Sequence, residues 1–229
     1  MHDTSVLEQT IGVTFLHRDL LTEALTHRSY LNENPSWHVP HNERLEFLGD
    51  AVLELVVTEN LYTTYPSLDE GTLTNVRAAL VNYISLAQVA RSIRLEDFIL
   101  MSRGEAKDTG RARDVILANA AESLIGALYL DQGYAAAAIF IKTYVLARAE
   151  DIIANQSFKD AKSHFQERAQ EKYKITPTYK VLEESGPDHN KTFTVGVFLH
   201  DKKVAEGKGF SKQEAETQAA QQALQEFEL

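Results

Sequence analysis

Asn42-Glu43-Arg44-Leu45-Glu46-Phe47-Leu48-Gly49-Asp50 sets three carboxylates into one short and otherwise largely apolar stretch. On an α-helix turning about 100° per residue, Glu46 falls about 300° from Glu43 and Asp50 about 340° from it, so all three share a narrow arc. Leu45, Leu48, Val52 and Leu55 turn toward another side. Like charges on one helical face repel unless a cation lies between them, and a hard divalent cation with oxygen ligands is the usual solution. A merely solvated acidic face normally carries Lys or Arg partners at i+4. Here Arg44 is the only cation close in sequence. Gly49 also costs a helix about 1 kcal/mol relative to Ala, which predicts a close approach of another segment there. The stretch points to a metal-dependent enzyme.

A second polar pair lies in Leu117-Ala118-Asn119-Ala120-Ala121-Glu122-Ser123-Leu124-Ile125-Gly126. Asn119 and Glu122, at i,i+3, share one face of a helix that is otherwise small and apolar. Two readings stand equal on this pattern alone. The pair is either a buried hydrogen-bonded couple or the second half of an oxygen-ligand set. Glu70, in Leu68-Asp69-Glu70-Gly71, reads as a surface acid in a turn.

The chain of 229 residues fits one large domain or two small ones, and 44% hydrophobic content is ordinary for a globular protein. With no cysteine, disulfides, zinc thiolates and cysteine nucleophiles are excluded, and a reducing cytoplasmic setting is the expectation. The amino terminus lacks the basic and apolar regions of a signal peptide, and no uncharged apolar run approaches the ~20 residues that cross a bilayer. No membrane partner is expected. The net charge of −10 divides as 13 Lys+Arg against 21 Asp+Glu in residues 1–159, and 10 against 12 in residues 160–229. Any nucleic-acid binding must therefore rest on local patches.

Helical periodicity fills the first ~150 residues. It runs through Leu7, Ile11 and Phe15, then Leu21, Ala24 and Leu25, and predicts helices at about 41–62, 73–91, 115–130 and 134–153. The character changes near residue 155. An amphipathic helix at about 161–172 precedes an alternating strand, in which Phe193, Val195, Val197 and Leu199 face one way and Phe198 is an odd aromatic on the other face. Flanking runs at about 178–183 and 203–210 make partner strands. Ser211-Lys212-Gln213-Glu214 then reads as a capping box opening a last helix. The expectation is an all-α domain (1–152), a linker (153–159) and an α+β domain of order α-β-β-β-α (160–229).

The nonamer at 42–50 resembles the ribonuclease III signature, and the similarity runs along nearly the whole chain. Leu25-Thr26-His27-Arg28-Ser29-Tyr30 is similar to the family's upstream helix motif. Asp69-Glu70-Gly71, Arg77-Ala78-Ala79-Leu80-Val81 and the 116–130 segment follow in the family's order. The tail from Asp160 is similar to a double-stranded-RNA-binding domain. The resemblance implies a homodimer that hydrolyses double-stranded RNA with Mg²⁺, Mn²⁺ being able to substitute. It implies metal-site roles for Glu46, Asp50, Asn119 and Glu122, with Asp50 and Glu122 catalytic. Glu43 and Glu70 match acidic positions that help hold substrate and metal, and Phe47 matches an aromatic that packs into a partner-subunit socket. In the implied reaction Mg²⁺ activates a water that attacks phosphorus in line, and metal charge stabilises the departing 3′ oxygen. Products would carry 5′-phosphates, 3′-hydroxyls and two-nucleotide 3′ overhangs, and ribosomal RNA precursors are the implied substrates alongside other structured transcripts.

The sequence departs from the family at Asn119, where Asp is usual. An amide oxygen still ligates or holds water but brings no charge, so a higher metal requirement is expected. In the tail, Ser163, Gln166 and Glu167 on the first helix would meet a minor groove. His189, in Gly186-Pro187-Asp188-His189, matches a second groove contact. Lys212 with Lys208 would meet phosphate near the start of the last helix. Together they fit an A-form duplex read by shape over ~16 base pairs. The competing class is a non-catalytic duplex-RNA-binding protein in which Asn119 marks a lost site. A metal-dependent hydrolase of another substrate leaves the tail unexplained.

Overall fold

The structure, a computed structural model, describes residues 3–107, 109–155, 161–186 and 191–226. It divides into two units, Met1–Phe158 and Lys159–Leu229. In the first lie α1 (Ser5–Ile11), α2 (Arg18–Ala24), α3 (Arg28–Glu33), α4 (Glu43–Thr64), α5 (Glu70–Val81), α6 (Tyr83–Ser92), α7 (Arg111–Tyr144) and α8 (Ala149–Ala154). Short 3₁₀ turns occupy Leu95–Asp97, Glu105–Lys107 and Leu146–Arg148.

Two helices form the centre of this unit. α4 buries Leu45, Gly49, Val52, Leu53, Val56, Val57 and Leu61, a stripe at three- and four-residue spacing. From Ile116 to Leu128, α7 is buried at every position except Asn119 and Glu122. A helix apolar nearly all round belongs in a core, and these two polar positions are its exceptions. Among the described residues, the helical run Arg111–Ala154 is long and apolar enough to cross a membrane by length and composition, but half of its apolar window is buried inside this unit.

Three boundaries differ from the periodicity. The expected helix at 73–91 is two helices, because Asn82 is extended (φ −65°, ψ 158°) and its side chain caps α6 by accepting from Ser85 N at 2.9 Å. The expected helices at 115–130 and 134–153 merge into α7 across a break at Gly133 (φ 79°), and the chain then passes through a 3₁₀ turn into α8. Phe15 is buried but does not continue α1, which stops at Gly12 in the left-handed region (φ 70°). Apolar spacing sees none of these breaks, since buried residues keep their period on both sides.

The second unit contains α9 (Ala161–Tyr173), β1 (Thr178–Ser185), β2 (Thr192–Leu199), β3 (Lys202–Gly209) and α10 (Lys212–Glu226). The sheet is antiparallel in the order β1-β2-β3, with Val195 opposite Gly207 and Val197 opposite Ala205. Val197, Leu199 and Ala205 pack with Phe165 and Ala169 of α9 and with Ala219, Ala220 and Ala223 of α10. Phe165 is fully buried, which contributes about 1.5–3 kcal/mol. At Gly207 a methyl group would lie 2.2 Å from the Ala219 nitrogen, so α10 rests directly on β3. Phe198, the odd aromatic, folds its ring over Gly196 on the outer face, with Lys180 Nζ 5.1 Å from the ring centroid. The ring covers backbone that the glycine would leave bare.

Candidate active site

α4 and α7 cross with backbone against backbone. A methyl group on Gly49 would lie 1.8 Å from the Glu122 carbonyl oxygen and 2.9 Å from the Gly126 nitrogen. One on Gly126 would lie 2.3 Å from the Leu45 carbonyl oxygen. Only hydrogen fits at either place, which is the close approach that Gly49 predicted. A second tie sits beside it. Ser123 Oγ lies 2.7 Å from the Asn119 carbonyl oxygen and 3.2 Å from that of Asn42, the residue before α4. Asn42 is itself buried and held by its N–H to Thr26 O (2.9 Å) and its side-chain amide to Ala24 O (3.3 Å).

This crossing sets Glu46 and Asp50 of α4 beside Asn119 and Glu122 of α7. Burial, then the charges of Asp50 and Glu46, push the Glu122 carboxyl up to about 8. Burial, then Glu43 and Asp50, also raise Glu46, and a hydrogen bond from the Asn119 side chain partly offsets this. The donors are carboxylate and amide oxygens, the set that suits a hard divalent cation, and a cation there would relieve repulsion that the protein alone relieves by holding a proton on Glu122. Among the described residues no three His, Asp or Glu side chains close around a single point as a preformed shell.

Glu43 turns to other partners. Its carboxylate meets Arg28 Nη1 at 3.1 Å and His41 Nδ1 at 3.8 Å, and it acts on Glu46 only through its charge. Arg28 is therefore a cation of the acidic arc that helix spacing does not reveal, because it arrives from α3. Glu70 is not in a turn but opens α5, where its carboxylate accepts from Thr74 Oγ1 at 3.2 Å. It lines a depression with Thr58, Leu61, Tyr62 and Arg77. Thr58 lies about 12 Å along α4 from Asp50, so one chain does not bring Glu70 to the cluster. Phe47, next to Glu46, is 81% exposed, and Leu55 (58%) and Tyr62 (74%) lie exposed further along the same helix.

In the second unit, Ser163, Gln166 and Glu167 lie together on the exposed side of α9, opposite buried Phe165 and Ala169. His189 lies outside the described residues. Half of the capping box forms: Ser211 Oγ accepts from Glu214 N at 3.1 Å, but the Glu214 carboxylate accepts from Phe210 N at 2.8 Å, one residue before the N–H that a full box would use. Lys212 opens α10 and pairs with Glu184 at 3.1 Å, a partner the sequence pattern did not indicate. Lys208 lies between Gly207 and Gly209, both of which face α10, so alternation turns it to the other face of the sheet, away from Lys212. Sequence reasoning also missed Asn42 and Ser123. Both belong to quoted motifs, but nothing in their spacing marks a cross-helix tie.

Fold and site together define a helical domain with acidic side chains of two helices set side by side, and a separate α-β-β-β-α unit. The family model "Ribonuclease-III-like" matches residues 17–149, and "Double-stranded RNA binding motif" matches residues 161–227. The chain is 45% identical over 222 residues to Ribonuclease 3 of Desulforamulus reducens, covering 97% of this chain and 90% of that protein. It is 42% identical over 228 residues to Ribonuclease 3 of Dehalococcoides mccartyi, covering 100% and 96%. The crystal structure of the nuclease domain of ribonuclease III from Campylobacter jejuni superposes with a TM-score of 0.58 at 41% identity, covering 65% of this chain and 97% of that one. A second structure of that domain, described for structural flexibility in the region involved in dimer formation, has a TM-score of 0.57 at 41% identity and covers 63% and 97%.

The chain belongs to the ribonuclease III family. It is a double-strand-specific endoribonuclease of a family that depends on divalent metal, and its second unit is a duplex-RNA-binding domain.

Proposed function

We propose that Glu46, Asp50, Asn119 and Glu122 hold Mg²⁺, or Mn²⁺ in its place, and that Asp50 and Glu122 carry the hydrolysis of phosphodiester bonds in duplex RNA. The observation that carries this reading is the Gly49–Gly126 crossing, which packs α4 on α7 closely enough for the charges of Glu46 and Asp50 to act on Glu122. Bound at these residues, a divalent cation would supply the charge needed to activate water and to stabilise the leaving 3′ oxygen. The chain would orient that charge through Glu46, Asp50, Asn119 and Glu122 and shield it on the side where α4 packs on α7. Products have 5′-phosphate and 3′-hydroxyl ends with two-nucleotide 3′ overhangs. Ribosomal RNA precursors and other structured transcripts in the cytoplasm are the substrates.

The active form is a homodimer. One chain carries one cluster, so a staggered double cut needs two copies. The exposed apolar positions Phe47, Leu55 and Tyr62 on α4 support a partner there, with Phe47 seated in a socket of the second copy. Glu43, paired with Arg28, and Glu70 help hold substrate and metal. The duplex is gripped by Ser163, Gln166, Glu167, His189, Lys208 and Lys212. The boundaries of the two domains are 1–152 and 160–229, with 153–159 as the linker.

The test is cleavage of a defined RNA hairpin across a Mg²⁺ and Mn²⁺ titration. The natural protein should cut, and Glu122→Ala should bind the hairpin without cutting. Absence of cutting at high Mg²⁺ and Mn²⁺, in a protein that is dimeric and binds duplex, would leave a non-catalytic RNA-binding protein. Phe47→Ala should shift the sedimentation profile toward monomer.

A further inference from the structure

Near the end of β1, the Glu184 carboxylate sits between two lysines. One oxygen lies 3.1 Å from Lys212 Nζ and the other 3.6 Å from Lys191 Nζ. The Lys212 ammonium is also 5.5 Å from the centroid of the Phe193 ring, and Phe193 is the residue opposite Glu184 in the β1–β2 ladder. Carboxylate, ring and both ammonium groups thus meet at one corner of the sheet, beside the start of α10. All three charged side chains are partly exposed, so solvent and ligand reach them.

An oxyanion held between two ammonium groups is the arrangement that a backbone phosphate of RNA would itself adopt. We propose that Glu184 is an internal substitute for phosphate. It keeps Lys191 and Lys212 gathered in the free protein and gives way when the duplex places a phosphate between them. This rests on the RNA-binding reading of the second unit. It adds Lys191 to the contacts and makes Glu184 the residue that sets their strength.

The physical consequence is an exchange of anions in place of simple capture by two cations. Binding separates the ion pairs as it forms the phosphate contacts, so part of the Coulomb gain is cancelled. An exposed pair of this kind is weak, so its removal should change affinity by about two- to fivefold. A carboxylate beside the phosphate also offsets charge that would otherwise release counterions. The salt dependence of the natural protein should therefore be shallower than its lysines imply.

The experiment uses the full chain in metal-free buffer with chelator, so that no cleavage occurs. A labelled RNA duplex of about 20 base pairs is titrated over a salt series. Glu184→Gln should bind about two- to fivefold more tightly at low salt, with a salt slope steeper by up to about one unit. Lys191→Ala and Lys212→Ala should each weaken binding, and Lys212→Ala should cost more in the Glu184→Gln background than in the natural one. The thermal midpoint of Glu184→Gln should match the natural protein, since the pair is exposed. Equal or weaker binding by Glu184→Gln, with Lys212→Ala still weakened, overturns the proposal and leaves the RNA-binding reading standing. Failure of the natural protein to bind the duplex overturns both.

Discussion

Gly49 of α4 and Gly126 of α7 lie against each other with no room for a side chain on either. The added Cβ positions fall 1.8 Å and 2.3 Å from carbonyl oxygens of the opposite helix. Those carbonyls belong to helical backbone and cannot swing aside as a side-chain tip would. The acidic cluster is built on this contact, because Glu46 and Asp50 flank Gly49 in sequence and Glu122 lies one turn before Gly126.

Gly49→Ala should separate the two helices at the site. Intrinsic helix propensity favours Ala by about 1 kcal/mol, so the net result is a contest between propensity and overpacking. A clash with rigid backbone wins, and a destabilisation of about 1–3 kcal/mol is expected. Cleavage should fall much further than duplex binding, since the displaced helix carries Glu46 and Asp50. Thermal melting with parallel kcat and binding measurements tests this, and a stabilised, fully active Gly49→Ala would refute it.

The raised Glu122 carboxyl predicts how the metal-free protein responds to pH. Its folded value is about 8 against an ordinary 4.5, so the folded state holds the proton more tightly than the unfolded chain. The penalty is absent below about pH 4.5, grows as pH rises and is complete above about pH 8. The melting temperature should therefore decline between pH 5 and 8.5, after other groups are accounted for by comparison with Glu122→Gln. Adding Mg²⁺ should reverse the decline and release protons, which calorimetry in buffers of different ionisation enthalpy would register.

Asn119→Asp should lower the Mg²⁺ concentration needed for half-maximal cleavage, because it adds a negative ligand to the cluster. The same change removes the side-chain donor that offsets repulsion at Glu46. Without metal the variant should therefore melt lower than the natural protein. A metal requirement that is unchanged or higher in Asn119→Asp would show that the amide is not a handicap.

Asp131 predicts acid sensitivity far from the cluster. Burial would raise its carboxyl, but bonds from the Gln132 side chain, Leu16 N, His17 N and the His17 ring outweigh this and hold it at about 2. The two backbone bonds, 2.9 Å and 2.8 Å long, tie the entry of α2 to α7. Because the folded value lies below the ordinary 3.8, the stabilisation is present above about pH 4 and lost as pH falls through about 2. Asp131→Asn should cost about 2 kcal/mol at pH 7. The gap between variant and natural melting temperatures should close on acidification from pH 4 to pH 2.

Much of this was legible along the chain. Alternation at Phe193–Leu199 marks β2, and the isolated Gly49 marks a helix crossing. Helix ends were less legible, because apolar spacing continues across Asn82 and Gly133 while the backbone turns. The cluster was half legible. Glu46 and Asp50 share an arc by helix geometry, whereas their meeting with Glu122 follows from contact between residues some seventy positions apart. Arg28 on Glu43 and Glu184 on Lys212 were invisible for the same reason, since an ion pair between elements leaves no period.

Sequence alone determined the element types, the division near residue 155 and the acidic arc, because these depend on local periodicity and residue chemistry. Tertiary structure decided which acids share a field. The crossing at Gly49 and Gly126 brings Glu122 to Glu46 and Asp50, while Glu43 pairs with Arg28 and still acts on Glu46 through its charge, and Glu70 opens α5 beside the far part of α4. The reason is distance: Coulomb coupling and ligand geometry act over a few ångströms, and only the packing of α4 on α7 sets those separations.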